Sequence, residues 1–69
     1  MTANNALNAY FKSIPVKERN KLILSMMEQF QVSAKTVENW RYSRTPLKPV
    51  YCREISRIIG KDIFSEVTD

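Results

Sequence analysis

The sequence predicts an all-α fold, a compact bundle of four to five short helices. Glycine, which is unfavourable inside helices, occurs once in 69 residues. The alternation of β-branched and polar residues that marks strands is almost absent. Apolar residues instead recur every three or four positions, which places them on one face of a helix. A chain of 69 residues has room for one small core, so we assign residues 1–69 to a single domain.

The first two helices are predicted on either side of Pro15. The first spans about residues 5–13 with Asn4 or Asn5 as its N-cap, and it ends early because the residue before a proline avoids helical geometry. The second spans about residues 16–30. The apolar stripe of the first helix consists of Leu7, Tyr10, Phe11 and Ile14. The inward positions of the second helix are Leu22, Ile23, Met26, Met27, Phe30 and the aliphatic stem of Arg19.

A third helix is predicted over about residues 33–42, after a short turn at Gln31. Ser33 is a suitable N-cap because its hydroxyl can accept a hydrogen bond from a free backbone N–H of the first turn. Val37 and Trp40 lie three positions apart and therefore share the face that points to the core. We therefore expect Trp40 to be a core residue. The opposite face carries Ala34, Lys35, Glu38, Asn39 and Tyr42.

The segment 43–49 is predicted to be a loop because two prolines within it forbid a regular helix. A fourth helix follows over about residues 50–59, and Gly60 suits the left-handed conformation that ends many helices. A short last turn over residues 62–66 begins at Asp62. The predicted inward residues of this part of the chain are Tyr51, Ile55, Ile58, Ile59, Ile63 and Phe64.

Positive charge is concentrated in one part of the sequence. The formal net charge is +4, and residues 33–57 contain six bases against two acids, which accounts for the whole excess. The six bases are Lys35, Arg41, Arg44, Lys48, Arg53 and Arg57. Such a one-sided distribution suits a polyanionic partner.

Residues that the sequence lacks argue against several classes of function. No apolar run approaches the roughly 20 residues that a membrane span needs, so we expect no membrane partner. With no histidine and only Cys52 as cysteine, we expect no metal site and no nucleophile–histidine pair. There is no glycine-rich phosphate loop either, so we expect no enzyme, cofactor or small-molecule substrate. A lone cysteine fits a reducing cytoplasm.

Several short motifs lie between about Leu22 and Phe64. They are Val32-Ser33 at the turn, Thr36-Val37-x-x-Trp40 in the third helix, Pro49-Val50-Tyr51, and the ending Ile59-Gly60-Lys61-Asp62-Ile63-Phe64. Together they resemble the helix-turn-helix DNA-binding domains of phage repressor and Cro proteins. The resemblance implies a lambda-repressor-like fold and a small cytoplasmic regulator, encoded by a bacterium or a phage.

Three positions depart from that family's pattern. Gln31 stands at the turn, where the family has a glycine with positive φ, so we expect a strained turn that costs about 1 kcal/mol. Met27 replaces the small residue that usually lies four positions earlier, where the two helices approach each other. Ser43 stands where a loop glycine is common.

The resemblance also implies residue roles. The DNA base contacts would be Ala34, Lys35, Glu38 and Asn39. The phosphate contacts would be Ser33, Thr36, Arg41, Tyr42, Arg44 and Lys48. The chemistry of the base-contact set is suitable, since lysine can donate to guanine, asparagine can pair with adenine, alanine can touch a thymine methyl and glutamate can accept from cytosine. Each polar residue can instead be a solvated side chain, and Ser33 and Thr36 are expected to be structural first.

The sequence therefore predicts a protein that binds double-stranded DNA sequence-specifically, with helix 33–42 in the major groove. One recognition helix covers only about 4–5 base pairs, so a weak homodimer on DNA is expected. Its contact would come from the helix that begins near Val50 or from the 63–67 tail. Two alternatives are a non-specific nucleic-acid binder and a protein-interaction module. The exposed aromatic residues that such a module would use are Tyr10, Phe11 or Tyr51.

Overall fold

A computed structural model describes residues 2–65, which form four α-helices and no β-strand. The helices are α1 (Ala3–Ser13), α2 (Val16–Phe30), α3 (Ala34–Arg41) and α4 (Pro49–Ile59). The all-α prediction is confirmed, and each helix begins and ends within two residues of its predicted bounds.

The first helix begins earlier than predicted. Its N-cap is Thr2, whose hydroxyl accepts a hydrogen bond from the backbone N–H of Asn5 at 3.1 Å. The prediction that Asn4 or Asn5 caps this helix was wrong. The two additional residues place Asn4 inside α1 and on its buried side. At the other end, Ile14 and Pro15 both have extended backbone, which separates α1 from α2 as expected.

The core lies where α3 packs on both α1 and α2, and α4 packs on α2. Its fully buried apolar cluster contains Leu7, Phe11, Leu22, Met26, Val37, Trp40, Leu47 and Ile55. All but one of these residues lie in helices. Leu47 comes from the loop between α3 and α4, and its burial was not predicted from the sequence. Burying one leucine side chain is worth roughly 1.5–3 kcal/mol, so this loop is a part of the core.

The turn between α2 and α3 consists of residues 31–33. Gln31 has φ of 53° and ψ of 48°, so the predicted positive φ is confirmed. The backbone N–H groups of Gln31 and Val32 both donate to the carbonyl of Met27, which ends α2. This left-handed residue reverses the chain and allows α3 to start at once.

The last part of the described chain ends the fold without a fifth helix. Gly60 has φ of 89°, and its N–H donates to the carbonyl of Ser56 at 2.9 Å, so its predicted role as helix cap is confirmed. The carboxylate of Asp62 accepts from the N–H of Phe64 at 2.9 Å and makes a tight turn. Phe64 is half-buried against the core, as expected. The predicted turn over 62–66 extends to residue 66, which lies outside the described residues.

Candidate nucleic-acid interface

Helix α3 has two sharply different faces. Val37 is 0% exposed and Trp40 is 3% exposed, so the inner face is closed to solvent. Ala34, Lys35 and Glu38 are exposed on the opposite face. The base-contact residues predicted from the sequence thus lie on one accessible surface, together with the half-buried Asn39 at its edge. We call Ala34, Lys35, Glu38 and Asn39 the outer face of α3.

An aromatic cluster fixes the inner face of α3. The ring of Trp40 lies 5.8 Å from that of Phe30, at an interplanar angle of 83°, and 4.9 Å from that of Tyr51. Phe30 and Tyr51 contact each other at 5.3 Å, also edge to face. Edge-to-face and tilted contacts at these distances are favourable for aromatic rings. Trp40 is a core residue, as predicted, and its ring joins α2, α3 and α4.

The first turn of α3 is held by its own hydroxyl groups. The side chain of Ser33 accepts from the backbone N–H of Thr36 at 3.4 Å, so the predicted N-cap is confirmed. The two hydroxyl groups lie 3.4 Å apart and share a hydrogen bond. Ser33 is exposed and Thr36 is half-buried. Both residues therefore have the structural role that was expected of them first.

The basic residues after α3 are not equivalent. Arg44 and Lys48 are exposed, whereas Arg41 is half-buried against α1. The guanidinium of Arg41 lies 4.5 Å from the centre of the Phe11 ring, and its Nη2 donates to the Oδ1 of Asn8 at 3.4 Å. Its buried Nε has no hydrogen-bond partner in the described part of the chain. The sequence analysis predicted all three as phosphate contacts, but Arg41 differs from Arg44 and Lys48 because its side chain packs against α1.

Tyr42 lies between two guanidinium groups at the end of α3. Its side chain is 50% exposed, and its ring centre is 5.1 Å from Arg41 and 5.7 Å from Arg44. A cation over an aromatic face is attracted by the negative charge of that face. The ring therefore orders the two arginines beside the outer face of α3.

The exposed bases of this surface lie apart from the carboxylates. Within residues 2–65 the salt bridge is Arg57–Glu54 at 3.5 Å within α4, between an exposed arginine and a half-buried glutamate. Lys35, Arg44 and Lys48 form no salt bridge with any described carboxylate. Positive charge that is not compensated locally is available for phosphate groups of a partner.

One polar residue near this surface was missed by the sequence analysis. The side chain of Asn4 is 9% exposed, and its Nδ2 donates to the carbonyl of Trp40 at 2.8 Å and to that of Thr45 at 2.7 Å. Its Oδ1 accepts from the N–H of Leu47 at 3.3 Å. The signal was present, because Asn4 lies three positions before Leu7 on the apolar stripe of α1. An asparagine at such a position indicates a buried hydrogen-bonding site.

A scan against protein-family models finds no match to this chain, and searches of curated proteins and of solved structures find none either. None of the helices in residues 2–65 is long and apolar enough to cross a membrane. The same residues contain no group of three metal-ligating side chains.

Proposed function

We propose that this protein binds double-stranded DNA sequence-specifically and acts as a small transcriptional regulator. Helices α2 and α3 with residues 31–33 would form a helix-turn-helix of the phage repressor and Cro type. The observation that supports this proposal best is the contrast between the two faces of α3. One face is locked into the core through Trp40, and the other presents Lys35, Glu38 and Asn39 to a partner.

The size of α3 suits the major groove. An α-helix with its side chains is about 10–12 Å across, and the major groove is about 12 Å wide, so the groove admits a helix such as α3. Lys35 can donate to the O6 and N7 of guanine, and the amide of Asn39 can pair with adenine. Glu38 can accept from the amino group of cytosine, and the methyl group of Ala34 can contact that of thymine. These four residues form the proposed base contacts.

The proposed phosphate contacts surround the outer face of α3. Arg44 and Lys48 are the strongest candidates because both are exposed and lie in the segment that follows α3. Tyr42 can donate its exposed hydroxyl, and Ser33 and Thr36 lie at the N-terminus of α3, where backbone dipoles favour an anion. Arg41, the sixth proposed contact, is half-buried and its guanidinium contacts Phe11 and Asn8 of α1, so its contribution would be smaller.

We further propose that two copies bind together on DNA. A helix of eight residues contacts too few base pairs for selectivity in a genome, and a two-fold site would double them. Val50 is 57% exposed on α4 and is one residue through which copies could meet. Sedimentation of the protein with a selected duplex would show a 2:1 complex. A stable 1:1 complex on a site without two-fold symmetry would exclude the pairing.

Selection of duplexes from a random pool tests the function directly. A regulator enriches one sequence, and its affinity for that sequence exceeds its affinity for a scrambled duplex by several kcal/mol. Lys35→Ala and Asn39→Ala should each lose about 1–3 kcal/mol on the selected duplex and relax the choice at one base pair.

Lys21→Ala is the matched control, since it removes the same charge as Lys35→Ala. Lys21 lines a groove with Ile58 and Ile59, two helical turns along α4 from the Tyr51 ring that contacts α3. Its replacement should leave the preferred sequence unchanged.

Two other outcomes would replace the proposal. Equal binding to all duplexes would indicate a non-specific nucleic-acid binder. If the protein bound no duplex, the protein-interaction module would be the remaining hypothesis. For such a module the three expected aromatic residues offer little surface, because Phe11 is fully buried and Tyr10 and Tyr51 are half-buried. The expectation that Phe11 is exposed was wrong, since it lies on the core side of α1.

A further inference from the structure

The buried amide of Asn4 joins three separate backbone sites. Both of its N–H bonds are used, one on the carbonyl of Trp40 near the end of α3 and one on the carbonyl of Thr45. Its oxygen accepts from the N–H of Leu47. A primary amide has two donors and one oxygen acceptor, and here every one of them is engaged. One side chain of α1 thus holds the backbone of the segment 40–47 at three positions.

That segment carries the exposed bases that follow α3. We call residues 43–48 the basic loop, since it contains Arg44 and Lys48. Its backbone is also held by the carbonyl of Asn39, which accepts from the N–H groups of Arg44 at 2.9 Å and Thr45 at 3.3 Å, and the carbonyl of its last residue, Lys48, accepts from the N–H of Tyr51 in α4 at 3.0 Å. Asn4 bonds the backbone of this loop to α1.

Other residues of α1 contact the same region. Asn8 and Phe11 lie four and seven positions after Asn4, on the same side of α1, and both hold the guanidinium of Arg41. The exposed Asn5 accepts a weak hydrogen bond from the hydroxyl of Ser43 at 3.5 Å. Helix α1 is therefore a rigid support under the end of α3 and the basic loop.

We propose that Asn4 is a positioning residue for phosphate binding, which places Arg44 and Lys48 at a fixed distance from the outer face of α3. The proposal rests on the proposed function and adds to it a residue that touches no DNA. Preorganised contacts bind more tightly because less conformational freedom is lost on binding. Without the hydrogen bonds from Asn4, the basic loop keeps its charge, but its bases no longer lie at a fixed distance from α3, the helix proposed to select the DNA sequence.

The test is a double-mutant cycle on DNA affinity. Asn4→Ala is compared with the double variant Arg44→Ala/Lys48→Ala and with the triple combination, on selected and scrambled duplexes over a range of salt concentrations. The double variant should lower the slope of log K against log salt by about 2, near 1 per phosphate contact. Asn4→Ala should lower the same slope by about 1–2 and leave the preferred sequence unchanged.

The triple combination decides between positioning and general stability. If Asn4 acts through the two bases, its replacement costs almost no further affinity once they are absent. Ile59→Ala is the control, because Ile59 is half-buried at the far end of α4 and its loss weakens the core without touching the basic loop. All measurements are made at a temperature at which circular dichroism shows each variant folded.

Hydrogen exchange of the free protein gives a readout that needs no DNA. Asn4→Ala should speed exchange of the Leu47 amide selectively, whereas Ile59→Ala should not. Two results would overturn the proposal while DNA binding stands. One is that the affinity losses of Asn4→Ala and of Arg44→Ala/Lys48→Ala add in full in the triple combination. The other is that Asn4→Ala leaves the salt slope unchanged. A parent protein that binds no duplex would overturn the proposed function and the phosphate role together, and the exchange result would then decide whether Asn4 orders the loop.

Discussion

The two ends of α3 are held in opposite ways. At the N-terminal end all the supporting groups are close in sequence: Gln31 reverses the chain, and Ser33 caps the helix through Thr36. At the C-terminal end the supporting groups are distant in sequence: Trp40 packs on Phe30 and Tyr51, and α1 supplies hydrogen bonds. Asn4 bonds groups 36 to 43 residues away along the chain.

The two kinds of support therefore decide different properties of α3: the residue at which the helix begins, and the position of its other end in the fold. Local capping decides that a helix begins at Ala34, and it depends on a few hydrogen bonds exposed to water. The long-range contacts decide where the helix end and the basic loop lie relative to the rest of the protein. They are buried, so leaving one of their groups without a partner is more costly. We therefore expect substitutions at the C-terminal end to have the larger effects on stability.

The largest effect is expected for Asn4→Ala. The change removes the side-chain partner of the Thr45 carbonyl and of the Leu47 N–H, and one of two hydrogen bonds to the Trp40 carbonyl, which should lower the free energy of unfolding by about 3 kcal/mol. Urea denaturation measures this loss. The matched control is Asn5→Ala in the same turn, where the exposed side chain should matter by less than about 0.5 kcal/mol. Equal effects at the two positions would contradict the contrast between the two ends.

The next largest effect is expected for Arg41→Ala. It removes the guanidinium that lies over the Phe11 ring at 4.5 Å, and cation–π contacts that are partly desolvated contribute about 1–2 kcal/mol. Arg57→Ala is the control, because Arg57 is exposed and its salt bridge with Glu54 should contribute less than about 1 kcal/mol. Thermal unfolding of both variants gives the comparison. A larger loss at Arg57 would mean that Arg41 is an ordinary surface charge.

A smaller effect is expected at the N-terminal end for Ser33→Ala. Loss of an N-cap hydroxyl costs about 1 kcal/mol, and the 3.4 Å length of this hydrogen bond places the effect at or below that value. Ser25→Ala, a substitution at an exposed position within α2, serves as control and should change stability by less than about 0.5 kcal/mol. If Ser33→Ala lowered the free energy of unfolding as much as Asn4→Ala, the N-terminal end of α3 would be held as strongly as the C-terminal end, against the contrast drawn above.

The smallest effect is a gain in stability from glycine at the two left-handed positions. Gln31 has φ of 53° and Ser43 has φ of 60°, conformations that glycine adopts without strain at Cβ. Gln31→Gly should raise the free energy of unfolding by a few tenths to about 1 kcal/mol. Ser43→Gly should gain less, because it also removes the hydrogen bond to Asn5. A glycine variant less stable than the parent would show that the side chain at that position contributes more than the strain costs.

The sequence was sufficient for features that depend on neighbouring residues. Pro15 ends α1 through the conformation it imposes on Ile14, and Gly60 ends α4 in the left-handed region. The three-residue spacing of Val37 and Trp40 identified the buried face of α3, so its outer face followed from the sequence as well. For the candidate site this means that the exposure of Lys35 and Glu38 was predictable.

The roles of single residues at the site were less predictable where distant partners decide them. Arg41 was grouped with Arg44 and Lys48 by its charge and its position at the end of α3, but the approach of Phe11 and Asn8 makes it a packed residue. Leu47 was assigned to a loop because prolines surround it, although the loop folds inward and buries it. In both cases the partner lies in another element, and no local pattern encodes it.

The sequence by itself predicted the four helices to within two residues of their ends, and the buried face of α3, because proline geometry, capping and apolar periodicity act over a few residues. Only the tertiary structure decided that α1 supports the end of α3 through Asn4. Helix α1 begins two residues earlier than the sequence predicted, and this places Asn4 within hydrogen-bonding distance of the carbonyls of Trp40 and Thr45. A buried amide is stable only where all its hydrogen bonds are satisfied, and that condition depends on how distant segments meet.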